Sequence, residues 1–437
     1  MFEVERNTLC SRGIMSRTIF QMCVLATVLT VVHTSHKEKH NSFSLTHPSH
    51  SHHHQQHHHH QHHHHNNSQL LYEGNRDFAF RLYKHMETPR SKNLLFSPLS
   101  ISVALAALSL GAEGETNQQI FSGLGFNNSN IAKEQVHQAF QSLLEDLRSK
   151  TAVELNTGTA LFLKETFKPH LEFLENLKRF YNSDSLTTDF TKTAEATEMI
   201  NNYVKEKTNG KINKMVDSLS PDTIMFLLSY IYFKGKWMIP FNPRHTTQDK
   251  FQVDPNTSVS VQMMYKKGQF NVYHDRTLST HVLQLRFTNG VSMMLALPEN
   301  NLEELEAKIS PNDVSKWQHW MRKSEYSIYV PKLSIKTSYT LKDVLSTLGM
   351  SKMFRPEADF SGISEDQIFV SEVVHQATLD VDEAGATATA ATGMILVPLS
   401  FQPSVILKFD HPFMVFIVSD DNNSILFMGK IQNPAEE

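Results

Sequence analysis

Residues 383–400, EAGATATAATGMILVPLS, constrain the fold of this chain more than any other segment. The first half consists almost wholly of Ala, Thr and Gly, so it has too little apolar surface to anchor itself in a core, and we expect an exposed loop. Ala386, Ala388 and Ala390 nevertheless recur at every second position, which is the period of a strand with one buried face. The segment is therefore compatible with two states, an exposed loop and a strand added to a sheet.

The second half of the segment has the character of a protease substrate. Pro398 precedes Leu399 and Ser400. Proline fixes its own φ and favours extended backbone in the residue before it, and an extended backbone is the shape that a protease cleft accepts. The loop is therefore predicted to be a target for cleavage.

Several motifs elsewhere resemble those of a known family. They are NLLFSPLS (93–100), YFKGKW (232–237), YVPKL (329–333), HPF (411–413) and LFMGKIQNP (426–434). With Glu383-Ala-Gly385 and the small-residue run that follows, they resemble the serpins, and in particular the antitrypsin-like (clade A) secreted serpins. The resemblance extends from about residue 72 to the C-terminus.

The resemblance implies a fold and a mechanism. The fold is α+β, with about nine helices around three β-sheets and a reactive-centre loop at 383–404. The mechanism is suicide inhibition of a serine protease: the protease cleaves the loop, the loop inserts into the main sheet, and the protease stays trapped. Such a protein has no active site of its own, so we do not expect an enzyme.

The resemblance also implies roles for individual residues. The hinge is formed by Glu383, Gly385, Ala386, Ala388 and Ala390. Lys332 is the expected ion partner of Glu383. A hydrogen-bonded cluster over which the sheet opens is expected from Ser97, Ser100, Ser229 and His375. Ser229 stands where the family usually has Asn, a departure that could loosen this cluster.

The target protease is predicted from the cleaved bond. In the antitrypsin-like pattern the residue before that bond lies sixteen positions after the hinge glutamate, which gives Leu399, followed by Ser400. Leucine carries no charge for an acidic S1 pocket, so we expect proteases with an apolar S1 pocket, such as chymotrypsin, elastase or cathepsin G. Met394 and Leu396 are the rival cleavage positions.

A non-inhibitory serpin, serving as a hormone carrier or a metal-binding plasma protein, is the alternative function. Fold alone does not decide between them. The hinge does, because insertion buries alternate side chains and is opposed by bulky or charged residues. The inward series in the family register is Ala386, Ala388, Ala390 and Thr392, which favours the inhibitor.

The N-terminus predicts a secretory signal peptide. From Met15, Arg17 supplies a positive start and residues 19–32 an apolar core. A membrane-anchoring helix is the alternative, but the apolar run is short and a polar tract follows it at once. We therefore expect a secreted, extracellular protein that does not span a membrane.

The chain is divided accordingly into three parts. They are a leader (1–35, starting at Met1 or Met15), a disordered His-rich extension (36–70) and a serpin domain (71–437). Both cysteines, Cys10 and Cys23, fall in the leader, so we expect no disulfide in the secreted chain.

Sixteen of the 25 histidines lie between His33 and His65. Dense neutral imidazoles chelate Zn(II) or Ni(II), although no Cys or fixed spacing closes a defined site. A solvated spacer is the plainer interpretation, so we assign no cofactor and only an adventitious metal at this tract. The candidate ligands are His52, His53, His54, His57, His58, His59 and His60.

Charge and motifs exclude other classes of function. A net charge of -4 is too weak to suggest nucleic acid as a partner. The sequence contains no nucleophile elbow, zinc-protease motif, P-loop or dinucleotide fingerprint. His375, on an apolar strand, is expected to be a buried hydrogen-bonding histidine. We expect a monomer.

Periodicity predicts the main elements of the domain. Helices are expected from Asp77 to Pro89 and over 101–110, 136–150, 193–207 and 341–348. Strands are expected over 223–237, 282–287, 291–297, 326–336, 368–382, 405–409, 412–418 and 425–431. On the 136–150 helix, Glu145 and Asp146 oppose Arg148 and Lys150, so we do not expect heparin to bind there.

Four Asn-X-Ser/Thr sequons are candidate glycosylation sites in a secreted chain. They are Asn66, Asn127, Asn256 and Asn422.

Overall fold

The computed structural model of the protein describes residues 54–86, 89–126, 131–150, 154–288, 290–384 and 404–436. Within these ranges the helices are α1 (His54–His85), α2 (Pro98–Ser109), α3 (Gly114–Gly123), α4 (Lys133–Ser149), α5 (Leu171–Tyr181), α6 (Thr193–Lys207), α7 (Leu302–Lys308), α8 (Pro311–Trp320) and α9 (Lys342–Thr347). No helix in the described part of the chain is long and apolar enough to cross a membrane. Apart from the start of α1, these helices belong to one compact unit, residues 57–437.

The strands of the described ranges form two hydrogen-bonded sheets. They are β1 (Leu94–Phe96), β2 (Glu154–Lys164), β3 (Asp184–Thr188), β4 (Met225–Lys234), β5 (Thr247–Asp254), β6 (Thr257–Asp275), β7 (Thr280–Arg286), β8 (Val291–Pro298), β9 (Arg322–Pro331), β10 (Leu333–Thr340), β11 (Glu372–Val381), β12 (Val405–Lys408), β13 (Phe413–Ser419) and β14 (Ile425–Ile431). A five-stranded sheet has the order β10-β11-β4-β2-β3. A nine-stranded sheet has the order β1-β14-β13-β8-β7-β6-β9-β12, with β5 beside β6.

The long strand β6 joins two parts of the nine-stranded sheet. Its first residues pair with β5 and its middle with β9, whereas residues 271–275 pair with β7. Two of the three expected sheets are therefore continuous through β6. The predicted α+β architecture is confirmed.

The five-stranded sheet is covered on both faces. Along β4, Phe226 and Leu228 pack with Ile200 and Val204 of α6 in one apolar cluster. The alternate side chains of β4, such as Ile231, belong to the main core. Burial on both faces explains why β4 is a continuous apolar run without alternation.

The buried helix α2 lies against β2, β4 and β14. All of its residues are buried, and it begins as the sequence predicts: the Ser97 side chain accepts a hydrogen bond from the Ser100 backbone N–H, and Pro98 occupies the first turn. An apolar helix with no polar face can be stable only inside a core. It places Ser97 and Ser100 behind the five-stranded sheet.

Two predicted elements differ substantially from the structure. α1 begins at His54, inside the tract that was expected to be disordered, and not near Asp77. No Gly or Pro occurs between His54 and Glu73, so nothing in the local sequence ends a helix that extends from the domain. The prediction of a single strand over 326–336 is wrong. β9 and β10 belong to different sheets, and the chain passes from one sheet to the other at Lys332.

Gly429 provides a test of the packing between β1 and β14. A Cβ at this position would lie 2.0 Å from the Leu94 carbonyl oxygen. That oxygen belongs to β1, which is paired with β14, so moving it away would break backbone hydrogen bonds. We expect Gly429→Ala to destabilise the protein by at least about 3 kcal/mol, the upper range for overpacking. The shift in the denaturant unfolding midpoint measures this.

The matched control is Gly268→Ala in β6, where the nearest atom to the added Cβ is Phe270 Cζ at 3.7 Å. We expect a change within about 0.5 kcal/mol for this variant. Equal stabilities of the two variants would contradict the close approach of β1 and β14.

Candidate functional site

The candidate site is the seam between β11 and β4 in the five-stranded sheet. The two strands are parallel neighbours, paired from Glu372 with Phe226 to Asp380 with Lys234. The other pairings of β11 and β4, with β10 and β2, are antiparallel. β11 then leads within two residues to Glu383, the first residue of the predicted hinge. The segment expected to insert therefore begins at the end of this seam.

An ion pair holds the hinge at that end. Lys332 Nζ lies 3.0 Å from Glu383 Oε2, and the Thr246 hydroxyl donates to Glu383 Oε1 at 2.7 Å. The Glu383 side chain is 12% exposed. Desolvation raises the pKa of Glu383, but the Thr246 hydroxyl and the Lys332 ammonium outweigh it, so the pKa lies below its usual 4.5. The structure thus brings together the two residues that were expected to pair.

The backbone of the hinge is held by the segment that follows β4. The Trp237 backbone N–H donates to the Ala384 carbonyl at 3.1 Å, and its indole Nε1–H donates to the Asp382 carbonyl at 2.7 Å. The Phe241 N–H donates to the Glu383 carbonyl at 3.1 Å. Three consecutive carbonyls are therefore bound to residues just beyond β4, which fixes the path of the chain as it leaves the sheet.

A second ion pair closes the seam beside the hinge. Lys234 Nζ at the end of β4 lies 3.1 Å from Asp382 Oδ2. Sequence reasoning missed this pair and also Trp237, Thr246 and Phe241 as hinge contacts. The YFKGKW motif was the available signal for Lys234 and Trp237, but their partners lie about 145 residues away in the chain.

The four residues of the expected cluster meet between α2 and the seam. The Ser97 backbone N–H donates to His375 Nε2 at 3.0 Å, and Ser229 Oγ lies 3.0 Å from His375 Nδ1. Ser100 Oγ in turn lies 2.9 Å from Ser229 Oγ. Because Nε2 accepts from a backbone N–H, the imidazole is neutral with its proton on Nδ1, where it donates to Ser229. The cluster ties α2 to both strands of the seam.

His375 is a buried structural group. Burial lowers its pKa to about 3, so the ring stays neutral at physiological pH. Both ring nitrogens have partners within the protein. These contacts agree with a hydrogen-bonding role for this residue.

Serine at 229 maintains the cluster. Its hydroxyl contacts both His375 and Ser100, so it bridges β4 to β11 and to α2. The Ser229 side chain is fully buried, and it pairs the Nδ1–H donor of the His375 imidazole.

Some of the remaining predicted site residues lie within the described part of the chain and others lie outside it. Gly385, Ala386, Ala388, Ala390, Leu399, Ser400, Asn127, His52 and His53 lie outside the described residues. Asn66, His54 and the histidines 57–60 lie on α1. Asn256 is exposed at the turn between β5 and β6, whereas Asn422 is half-buried and its Oδ1 accepts from the Ser424 N–H at 2.9 Å.

The hinge ion pair generates a prediction about stability and pH. At pH 7, Lys332→Met should destabilise the protein by about 1 kcal/mol, the upper end for a partly exposed pair. The folded pKa of Glu383 lies below 4.5. The contribution of the pair is therefore complete above pH 4.5 and is lost as the pH falls through the folded pKa. Denaturant midpoints at pH 7 and pH 3 measure both effects.

A pair with both side chains exposed gives the control. Lys214 and Asp217 are 61% and 88% exposed, so Lys214→Met should change stability by less than about 0.5 kcal/mol. If Lys332→Met leaves the stability at pH 7 unchanged, or if its effect does not diminish as the pH is lowered from 7 to 3, the ion pair does not stabilise the hinge as predicted.

Most of the chain is similar to known protease inhibitors and their relatives. The family model described as Serpin (serine protease inhibitor) matches residues 73–434. Hibernation-specific plasma protein HP-55 of Tamias sibiricus is 42% identical over 83% of this chain and 88% of its own length. Alpha-1-antiproteinase of Rattus norvegicus is 40% identical, over 82% of this chain and 88% of its own.

Among solved structures, human thyroxine-binding globulin is similar with a TM-score of 0.79 and 36% identity, over 85% of this chain and all of that one. The family model and the relatives together cover the domain that carries the hinge, the seam and the serine–histidine cluster. The expected resemblance to antitrypsin-like proteins is confirmed. The chain therefore belongs to the serpin family of serine protease inhibitors.

Proposed function

We propose that this serpin is a secreted inhibitor that traps serine proteases by inserting its cleaved loop between β11 and β4. One observation carries the proposal: the strand that leads into the loop pairs directly, and in parallel, with β4. A loop that turns back after Glu383 runs antiparallel to β11, and therefore antiparallel to β4 as well. Insertion replaces one parallel ladder with two antiparallel ladders.

This exchange favours the inserted state. Antiparallel pairing is slightly more stable per residue than parallel pairing, and the number of ladder hydrogen bonds rises. The gain is available only after cleavage, because an intact loop is tethered at both ends. The free energy that traps the protease is thus stored in the fold, and the inhibitor needs no catalytic group.

Unpaired polar groups along β11 add to the stored free energy. Gln376 is 1% exposed, and its amide N and O find no hydrogen-bond partner among the described residues. The buried Thr378 hydroxyl, two residues further along β11, also has no hydrogen-bond partner among the described residues. A buried polar group without a partner costs about 1–3 kcal/mol. Opening the seam gives both side chains access to new partners.

The loop sequence fits the space that opens. Ala386, Ala388 and Ala390 would face the interior in the family register, and none carries a charge or a bulky group. His375, Ala377 and Leu379 mark the interior face of β11, and all three are fully buried. Small inward side chains allow a new strand to enter this packed interior without a clash.

We assign the reactive bond to Leu399-Ser400 and the targets to proteases with an apolar S1 pocket. The assignment rests on the sixteen-residue spacing from Glu383 and on Pro398 before the cleaved residue. Met394 and Leu396 remain the rival positions. We also propose that the chain enters the secretory pathway through its N-terminal leader. Exposed Asn256 is then the favoured glycosylation site. The His tract is proposed to bind metal only adventitiously.

Heparin is not proposed as a partner through α4. Lys150, which follows this helix, is 8% exposed, with its ammonium 3.3 Å from Asp146 Oδ2 and 3.2 Å from Asp421 Oδ2. A paired and buried ammonium is not available to a sulfated polysaccharide.

A hormone carrier is the second candidate, favoured by the similarity to thyroxine-binding globulin. A carrier needs no loop insertion, whereas an inhibitor does. Formation of a covalent complex with a protease therefore separates the two functions.

The insertion mechanism is tested by Ala388→Glu. The added carboxylate would be buried without a partner, which costs several kcal/mol, so the yield of trapped protease should fall at least about tenfold. With chymotrypsin, the wild-type chain should give an SDS-stable band at the summed mass. The variant should be cleaved as a substrate.

Thr387→Glu is the matched control. It places the same carboxylate one residue earlier, on the opposite face of an inserted strand and close to the hinge end of the seam. The sheet is partly open there, since the side chains of Lys234 and Asp382 are 35% and 30% exposed, so trapping should be retained. A trapping yield for Ala388→Glu equal to that of the wild type would show that insertion does not bury this position.

The reactive bond is tested by the fragment released from a chymotrypsin complex. Mass spectrometry should find a new N-terminus at Ser400, and Leu399→Arg should shift preference toward trypsin-like enzymes by at least about tenfold in rate. A fragment beginning at Ile395 or Val397 would instead place the bond after Met394 or Leu396.

A further inference from the structure

Two histidines and a glutamate meet at one end of the nine-stranded sheet. His274 lies near the end of β6 and is paired across the strands with His281 of β7. Glu299 directly follows β8, and its backbone N–H donates to the Ser279 carbonyl at 2.8 Å. His281 itself pairs with Leu297, two residues before Glu299. Glu299 is therefore the diagonal neighbour of His281 across the two strands. A long side chain reaches a diagonal neighbour of this kind.

The three side chains converge on one point. His274 Nε2 lies 2.7 Å and His281 Nε2 lies 3.1 Å from the same atom, Glu299 Oε1. The two imidazole rings are stacked, with centroids 4.1 Å apart and planes 9° from parallel. The strand register therefore places two imidazoles and one carboxylate side by side, and the near-parallel rings have to turn out of their stack for both Nε2 lone pairs to point at one ion.

We propose that His274, His281 and Glu299 bind a divalent cation of the Zn(II) class. Two imidazole nitrogens and one carboxylate oxygen form a donor set that zinc uses in proteins. Zinc bonds of about 2.0–2.2 Å in a tetrahedral arrangement separate the ligand atoms by roughly 3.3 Å. To reach this separation, Glu299 Oε1 has to move about 0.6 Å away from His274 Nε2 and about 0.2 Å away from His281 Nε2.

The surroundings suit a cation. The side chains of His274, His281 and Glu299 are 41%, 35% and 42% exposed, so an ion can enter and keep a water molecule as its fourth ligand. A neutral ring can carry its proton on Nδ1 and leave Nε2 free to bind.

The neighbouring acidic residue does not compete for the ion. Asp275 is 1% exposed and is held by the Trp317 indole N–H at 2.8 Å and the Lys316 ammonium at 2.7 Å. Its carboxylate is therefore already satisfied within the core. The cation site consists of the three converging side chains.

Histidine footprinting on the full chain tests the proposal without interference from the His tract. Diethyl pyrocarbonate acylates free imidazole nitrogens, and mass spectrometry of peptides reports each histidine separately. In the presence of Zn(II), His274 and His281 should lose most of their modification. His245 and His319, which are exposed and outside the cluster, should be modified at the same rate with and without zinc.

Glu299→Gln is the variant for this experiment, because it keeps the size of an exposed side chain and removes its charge. The zinc concentration that half-protects the two histidines should rise by at least about tenfold. Its unfolding midpoint in EDTA should match that of the wild type. Equal modification of His274 and His281 with and without zinc in the wild type, or unchanged protection in Glu299→Gln, would overturn the proposal.

Discussion

The parallel ladder between β11 and β4 is the constraint on which the rest of the structure depends. It joins two strands from distant parts of the chain, and both are buried by helices on one side and the main core on the other. Parallel pairing is the weaker kind of ladder, and it lies within a sheet whose neighbouring pairings to either side are antiparallel. The burial of Gln376 and Thr378 without partners among the described residues places a further cost on the same strand. The strand that leads to the hinge thus carries two destabilising features, a parallel ladder and buried polar groups without partners among the described residues.

Two sets of contacts keep this weak ladder closed. The cluster of His375, Ser229, Ser97 and Ser100 ties both strands to α2 from behind. Lys332, Trp237 and Thr246 hold the hinge at the end of the seam. Neither set belongs to the backbone hydrogen bonds of the ladder. Both sets can therefore break locally while the apolar core on each face of the sheet stays packed. Such local opening is the kind of motion that functional segments need.

Sequence reasoning captured most elements because their signals are local. The cap at Ser97-Pro98, the apolar run of β4 and the inward face of α4 each follow from neighbouring residues. It failed at Lys332, where one apparent strand changes sheet, because that change depends on which distant strand each half pairs with. The cluster of His274, His281 and Glu299 was missed for a similar reason: no motif spacing links the three, and only the register of β6, β7 and β8 brings them together.

The strength of the hinge contacts decides whether the stored free energy is useful. A fully buried, tightly bonded ion pair would cost several kcal/mol to break and would keep the loop out of the sheet even after cleavage. The Lys332 side chain is instead 41% exposed, so solvent can hydrate its ammonium as soon as Glu383 leaves. A partly exposed pair contributes about 1 kcal/mol or less, which is small beside the gain from two new ladders. In the proposed mechanism the hinge therefore delays insertion before cleavage and offers little resistance afterwards.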